Sequence, residues 1–262
     1  MKIELLFKGN RKKRELDAVK RGMRMKALAS WIYSILQKSN KDYAQEMHDR
    51  GVPVPESKKF IKPFVFSYLY PKSDNTVAFK VASCDATFIH HFLSGLSKGM
   101  NEIVFDREVL EPEKFRILPP VDVKYNEDND YFYVDVFSLS PVTVKCSAGA
   151  KNQYFYLPDA MNNEEVKKQI EQALQRNLAD KYLAVYKELP SRNRFWIKFY
   201  DLNRIPVMFI SESGKTNKVL SFLGRMRLYG DFDMIYTAMQ MGFGSKTGLG
   251  FGFIENHQNY SR

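Results

Sequence analysis

Gly242, Gly244, Gly248, Gly250 and Gly252 surround Lys246 within eleven residues of a 262-residue chain. Lacking a Cβ, glycines let backbone amides approach a phosphate closely, and a lysine among them adds positive charge. The same composition also describes a plain structural turn. Two familiar phosphate loops do not fit. A dinucleotide loop needs G-x-G-x-x-G between a strand and a helix, whereas here Thr247 replaces the third glycine and the order is helix then strand. Ser213, Gly214, Lys215 and Thr216 end like a Walker loop, but Phe209 stands where its first glycine belongs and a strand follows. Gly250 to Ile254 matches the middle of the RNP1 pattern, with Leu249 and Asn256 in place of its basic start and final aromatic, a partial coincidence.

Three side chains in the first quarter of the chain are of types that move protons or steady charge. His48 falls in the last turn of a short helix, where the dipole favours the imidazolium; that is a sound structural role and also suits a general acid. Tyr33 lies on a helix but off its apolar stripe, which at about 100° per residue centres about 130° away. Partial burial against a neighbouring loop would explain it equally well. Lys62 leads into an aromatic strand and, read alone, is one of three nearby solvated lysines. The remaining histidines are poorer candidates: His90 and His91 are adjacent and diverge, and His257 lies in a polar tail. Cys84 and Cys146 have neither CxxC nor zinc-ligand spacing, which excludes disulfide and zinc-finger frameworks.

Charge singles out the same region. Forty Lys and Arg against thirty Asp and Glu give +10, and residues 1–62 hold sixteen against seven. The remaining residues carry twenty-four against twenty-three. The densest run contains Arg11, Lys12, Lys13, Arg14, Lys20, Arg21 and Arg24. It reads either as a solvated loop or as a surface contacting phosphates, where each neutralised phosphate releases counterions. Apolar runs are too short for a membrane helix, and the start, with Glu4 in a short apolar stretch, is no secretory signal. These features predict a basic, globular, cytoplasmic protein with a polyanion partner.

The elements that would position these residues form a repeated pattern. A strand over 2–8 precedes a helix over 25–38, with Leu28, Trp31, Ile32, Ile35 and Leu36 on one face. A short helix from Asp42 to Arg50 stops at Gly51, strands cover 64–70 and 76–83, a helix covers 85–98, and strand-like material runs to Leu118. Pro119, Pro120 and the polar run 125–130 make a connection. Then come a strand over 131–144, a helix over 163–189, strands over 194–200, 207–211 and 219–229, a helix over 231–241 and a last strand over 249–255. Two βαββαβ units predict an α+β chain of two tandem ferredoxin-like (RRM-like) domains, 1–122 and 123–262. RNA-recognition domains share that topology.

The G-x-G-(five residues)-G-x-G stretch closing such a duplicated chain resembles the CRISPR-associated RAMP superfamily. More narrowly, the chain resembles the endoribonucleases that cut CRISPR repeat RNA to release guide RNAs. Leu139-Ser140-Pro141-Val142 is similar to the strand opening the family's second unit, and Asp180-Lys181-Tyr182 in the long helix is also similar. The family pattern places a tyrosine in the first helix, a histidine ending the next short helix and a lysine before an aromatic strand. Tyr33, His48 and Lys62 match that order, with Lys58 or Lys59 as alternatives to Lys62.

The resemblance implies attack by an RNA 2′-hydroxyl on its own phosphate, leaving a 2′,3′-cyclic phosphate. It assigns His48 to proton transfer as acid or base, Tyr33 to positioning or deprotonating the nucleophile, and Lys62 to stabilising charge. No carboxylate cluster of the kind that holds two Mg²⁺ stands out, so no metal and no cofactor are expected. Expected RNA contacts are Arg11, Lys12, Lys13, Arg14, Arg21, Arg24, Lys246 and the five glycines. The implied partner is CRISPR repeat RNA, with a CRISPR effector complex as a further one, and the state is monomer or homodimer with no membrane contact. A non-catalytic repeat-holding subunit is the competing reading; it would not require the Tyr33, His48 and Lys62 set.

Overall fold

The computed structural model describes residues 1–9, 17–105, 108–148, 151–154, 163–210 and 214–256. Arg11, Lys12, Lys13, Arg14 and His257 lie outside the described residues.

Strand β1 (Lys2–Lys8) turns Ile3, Leu5 and Phe7 into a core beneath α1 (Ala18–Ser39) and presents Lys2 and Glu4 on its other face. Helix α1 begins two turns before its apolar stripe. Asp17 accepts from the Lys20 amide at 2.8 Å and caps it, while Lys20, Arg21 and Arg24 hide this part from a periodicity reading. Asn40 links directly to α2 (Lys41–Asp49), accepting from the Tyr43 amide at 3.0 Å. A small hairpin, β2 (Val52–Pro53) with β3 (Phe60–Ile61), follows. Next come β4 (Phe64–Phe66), β5 (Tyr70–Ser73), β6 (Thr76–Ser83), α3 (Ala86–Ser97), β7 (Ile103–Phe105) and β8 (Glu108–Leu118). The antiparallel order is β4-β6-β1-β8-β7, with β5 also on β6. Counting β4, β6, β1 and β8 as the four ferredoxin strands, β1 and β6 are central, as that motif requires.

The second unit repeats the plan. Strand β9 (Lys124–Asn126) pairs with β10 (Tyr131–Ser138), and β11 (Lys145–Ala148) pairs with β12 (Lys151–Tyr154). Helix α4 (Glu164–Tyr186), β13 (Phe195–Arg204), the hairpin β14 (Val207–Ile210) with β15 (Thr216–Val219), β16 (Phe222–Gly230), α5 (Phe232–Met241) and β17 (Ile254–Asn256) complete it. The sheet order β13-β16-β10-β17 is again antiparallel with the first and third strands central. The fold is thus two ferredoxin-like units in tandem.

The strand expected over 64–70 is divided between β4 and β5, and the one expected over 219–229 between the end of β15 and β16; β10 and the last strand also differ from expectation. Strand β10 ends at Ser138 because the chain then peels away: the amides of Leu139 and Ser140 donate to Phe253 O at 2.9 and 3.3 Å, and Val142 exchanges backbone bonds with Phe222 at 2.8 and 3.0 Å. The last strand begins only at Ile254, since Gly250 and Gly252 take positive φ of 86° and 79° and turn the backbone.

The units are joined through their interiors. Glu255 of β17 is buried against the outer face of the first sheet, 3.2 Å from Lys2 Nζ and 2.7 Å from Lys80 Nζ. Burial alone would raise its carboxyl, but the two ammonium groups outweigh burial and hold it below the usual carboxylate range. The β14–β15 hairpin straps α1: a Cβ on Gly22 would collide with Met208 O, and Lys26 Nζ donates to Ile210 O at 2.8 Å. Among the described residues no helix is long and apolar enough to cross a membrane.

Candidate active site

Helix α2 ends where the units meet. Gly51, at φ 90°, turns the chain sharply after it, and Lys62 Nζ donates to the carbonyls of Met47 and, at 2.8 Å, His48. A cation on the last carbonyls complements the helix dipole, so Lys62 fastens the turn carrying His48. The His48 ring meets the Tyr33 ring edge to face, with centroids 5.0 Å apart and planes at 78°. Tyr33 also packs edge-on against Phe64, at 5.9 Å. The off-stripe tyrosine is therefore half-buried between the first sheet and α2. Burial pushes its hydroxyl up to about 12, so Tyr33 is a phenol rather than a phenolate near neutrality.

His48 is 62% exposed, and its Nδ1 lies 3.0 Å from Asp49 Oδ1. Asp49 also accepts from Gln45 Nε2 at 2.7 Å, and the His48 and Gln45 hydrogen bonds hold its carboxyl below the usual range. The Asp49 carboxylate accepts from Nδ1 when that nitrogen carries a proton, and so orients the ring. Burial lowers the Lys62 ammonium, with the nearby Asp49 charge opposing that shift.

The other half of the site comes from the second unit. Tyr33, His48 and Lys62 share a cleft of about 350 Å³ with Ser245, Lys246, Thr247, Gly248 and Leu249. The sequence-predicted residues from the two ends of the chain are thus brought together. A Cβ on Gly248 would overlap Lys62 Cγ, and one on Gly250, at φ 86°, would lie 2.5 Å from the Phe66 ring. These glycines allow the loop to dock closely on the strand lead-in that carries Lys62. The amides of Phe243, Ser245, Gly250 and Gly252 are engaged within the chain, by Gly252 O, Thr143 O, Thr247 O and Pro141 O at 2.8–2.9 Å. Lys246 is exposed at the tip, in a left-handed backbone conformation at φ 62°.

Arg21 and Arg24 are drawn into contacts within the chain: Arg21 Nε donates to Pro206 O at 3.1 Å, and Arg24 pairs with Glu108 at 3.0 Å. Lys59 pairs with Asp180 at 2.6 Å, while Lys62 donates to the His48 carbonyl at 2.8 Å. The His91 ring lies on Tyr43 at 4.4 Å, away from the cleft lining.

Asp49 was not identified from sequence, and Lys181 was named only within a resembling stretch, without a role in the site. Asp49 orients His48 from the adjacent position. Lys181 of α4 is buried in the cleft wall and donates to Gly242 O at 2.6 Å and Gly244 O at 3.0 Å. Its signal was present: Leu174, Leu178 and Lys181 continue one helical face at i, i+4 and i+7, so a lysine interrupts an apolar stripe.

A second surface lies on the outer face of the second sheet. Trp196 and Tyr229 stack with planes at 2°, Tyr131 meets both edge-on, and Arg227 lies over the Tyr133 ring at 5.3 Å while held by Asp135.

Two ferredoxin-like units thus meet at a cleft that holds His48 and is closed by the glycine-rich loop. The sequence profile for "CRISPR associated protein Cas6, C-terminal" matches residues 112–256, more than half of the chain. The CRISPR-associated endoribonuclease Cas6 1 of Methanocaldococcus jannaschii is 26% identical over 246 residues, covering 87% of this chain and 84% of its own. Among solved structures, a Cas6-related protein from Pyrococcus furiosus superposes with a TM-score of 0.70 at 17% identity, covering 98% of both chains. A RAMP protein described as binding different RNA substrates superposes at 0.71 with 16% identity, covering 98% of this chain and 99% of its own. The chain belongs to the Cas6 family.

Proposed function

We propose that this chain is an endoribonuclease that cuts CRISPR repeat RNA by attack of the 2′-hydroxyl on the adjacent phosphate. The observation that carries this reading is the edge-to-face contact of Tyr33 with His48 at 5.0 Å beside the anchored Lys62. The Cas6 family membership and the M. jannaschii relative, named as an endoribonuclease, support it.

In the reaction the 2′-oxygen bonds to phosphorus, the bond to the 5′-oxygen breaks, and a 2′,3′-cyclic phosphate and a 5′-hydroxyl result. A proton must leave the 2′-oxygen and another must reach the departing 5′-oxygen. His48, with Nδ1 held by Asp49, gives its Nε2 proton to the 5′-oxygen, and water takes the 2′ proton. Tyr33, protonated because burial raises it to about 12, donates a hydrogen bond that orients the attacking nucleotide. Lys62, fastened to the end of α2, steadies charge on the phosphoryl oxygens. No metal has a role in this scheme. The outer face of the second sheet, with its tyrosines and Trp196, offers rings on which unpaired bases of the same RNA stack.

The test is incubation with repeat RNA in EDTA followed by end-group analysis. Products ending in a 2′,3′-cyclic phosphate, with cleavage abolished by a 2′-deoxy substitution at the cut, are expected. Loss of cutting in EDTA would remove the metal-free mechanism, and binding without cleavage would favour a repeat-holding subunit.

A further inference from the structure

The cleft holding His48 does not end at the glycine loop. Past Phe60, Ile61, Asn177 and Ser245, which line both, it opens into a second cavity of about 410 Å³. One wall of this continuation is strand β3 and the other is α4, with Lys145 of β11 and Arg176 of α4 along it. Phe60 is 51% exposed at the junction, unusual for a ring with a core so close by. The Lys59–Asp180 pair at 2.6 Å ties the β2–β3 hairpin to α4 beside it, so the ring is held at the rim. Among the described lining residues Asp180 is the one acid, and Lys59 pairs with it; Lys145 and Arg176 are exposed cations. A planar apolar ring followed by cations along a groove matches single-stranded nucleic acid: a ring for a base, then positive charge for the backbone.

We propose that this groove holds the unpaired RNA next to the scissile phosphate, with Phe60 stacked on the flanking base and Lys145 and Arg176 meeting the phosphates beyond it. The proposal rests on the cleft being the cutting site. It gives the cleft a direction: the substrate runs from His48 between the β2–β3 hairpin and α4, while the glycine loop closes the other side.

The experiment uses the full chain and repeat RNA made uncleavable by a 2′-deoxy substitution at the cut. A 2-aminopurine reporter is placed on one side of the scissile phosphate in one RNA and on the other side in a second. Quenching of one reporter on binding is expected, lost in Phe60→Ala and kept in Phe60→Trp. Stacking of one base also predicts that Phe60→Ala weakens binding about five- to a hundredfold. The double variant Lys145→Glu/Arg176→Glu should weaken binding and reduce its salt dependence. If neither reporter is quenched, or if both variants bind within twofold of the unaltered chain, the groove does not hold the RNA. His48→Ala separates the two readings. If it cuts cleavable RNA at the unaltered rate, the cutting site is misplaced; if it is inactive while the reporters stay silent, the groove alone is wrong.

Discussion

Lys181 Nζ lies 2.6 Å from the carbonyl oxygen of Gly242, so a fully buried ammonium in α4 grips the first residue of the glycine-rich loop. A second bond, to Gly244 O at 3.0 Å, fixes the loop's entry at two points. Burial pushes this ammonium down to about 7. The group therefore has a pKa lowered on folding, and between about pH 7 and its ordinary range the unfolded chain binds the extra proton. Stability at this site rises with pH across that window. Lys181→Met removes the rise, so chemical-denaturation midpoints measured at pH 7 and pH 9.5 should diverge less for the variant than for the unaltered chain. Equal changes in both would show that Lys181 does not titrate as described.

Gly248 and Gly250 separate a catalytic from a structural role within one loop. A side chain at 248 pushes against Lys62. Gly248→Ala is expected to slow cleavage at least tenfold with a small change in melting temperature. Gly250→Ala meets the Phe66 ring at a positive φ of 86° and is expected to destabilise by about 1–3 kcal/mol. Single-turnover cleavage and thermal melts on both variants test the contrast.

Glu255 between Lys2 and Lys80 predicts a large asymmetric effect. Glu255→Ala leaves two buried ammonium groups facing a cavity and should cost about 3–5 kcal/mol. Urea unfolding measures this, and a loss below about 1 kcal/mol would mean that water reaches the seam.

Asp49 and Tyr33 predict separate effects on cleavage. Asp49 lies 3.0 Å from His48 Nδ1, so Asp49→Asn is expected to slow cleavage without changing RNA binding, read by single-turnover rates beside binding curves. Tyr33, with its hydroxyl raised to about 12, keeps its proton throughout the accessible range. Tyr33→Phe should lower the rate by the same factor from pH 5 to 9; a factor that varies with pH would make Tyr33 a proton carrier.

Changing Arg11, Lys12, Lys13 and Arg14 to glutamate tests the basic run outside the described residues. Weaker RNA binding with a flatter salt dependence is expected if it contacts phosphates. An unchanged salt slope would leave it as a solvated loop.

Much of the architecture was legible from local pattern. The apolar stripes of α3 and α4 and the glycine after α2 are short-range signals, and the order of elements alone implied two ferredoxin-like units. The start of α1 was not legible because a cap and two polar turns precede its stripe, and β10 ran short because its continuation bonds to Phe253 instead. Tyr33 stood out as an aromatic off the core face, yet its reason for being there, the rings of His48 and Phe64, is a tertiary contact.

By itself the sequence determined which residue types are present, the periodicities that make helices and strands, and a glycine run that few side chains could replace. That the run closes over Lys62 and His48, that Lys181 holds it there, and that Glu255 locks the units together follows from packing alone. Those contacts join residues far apart in the chain, and their strength comes from burial: removed from water, one carboxylate between two lysines ties the units together and one lysine on two carbonyls holds the loop at their junction. Burial of that kind depends on the packed whole, so no local stretch of sequence carries it.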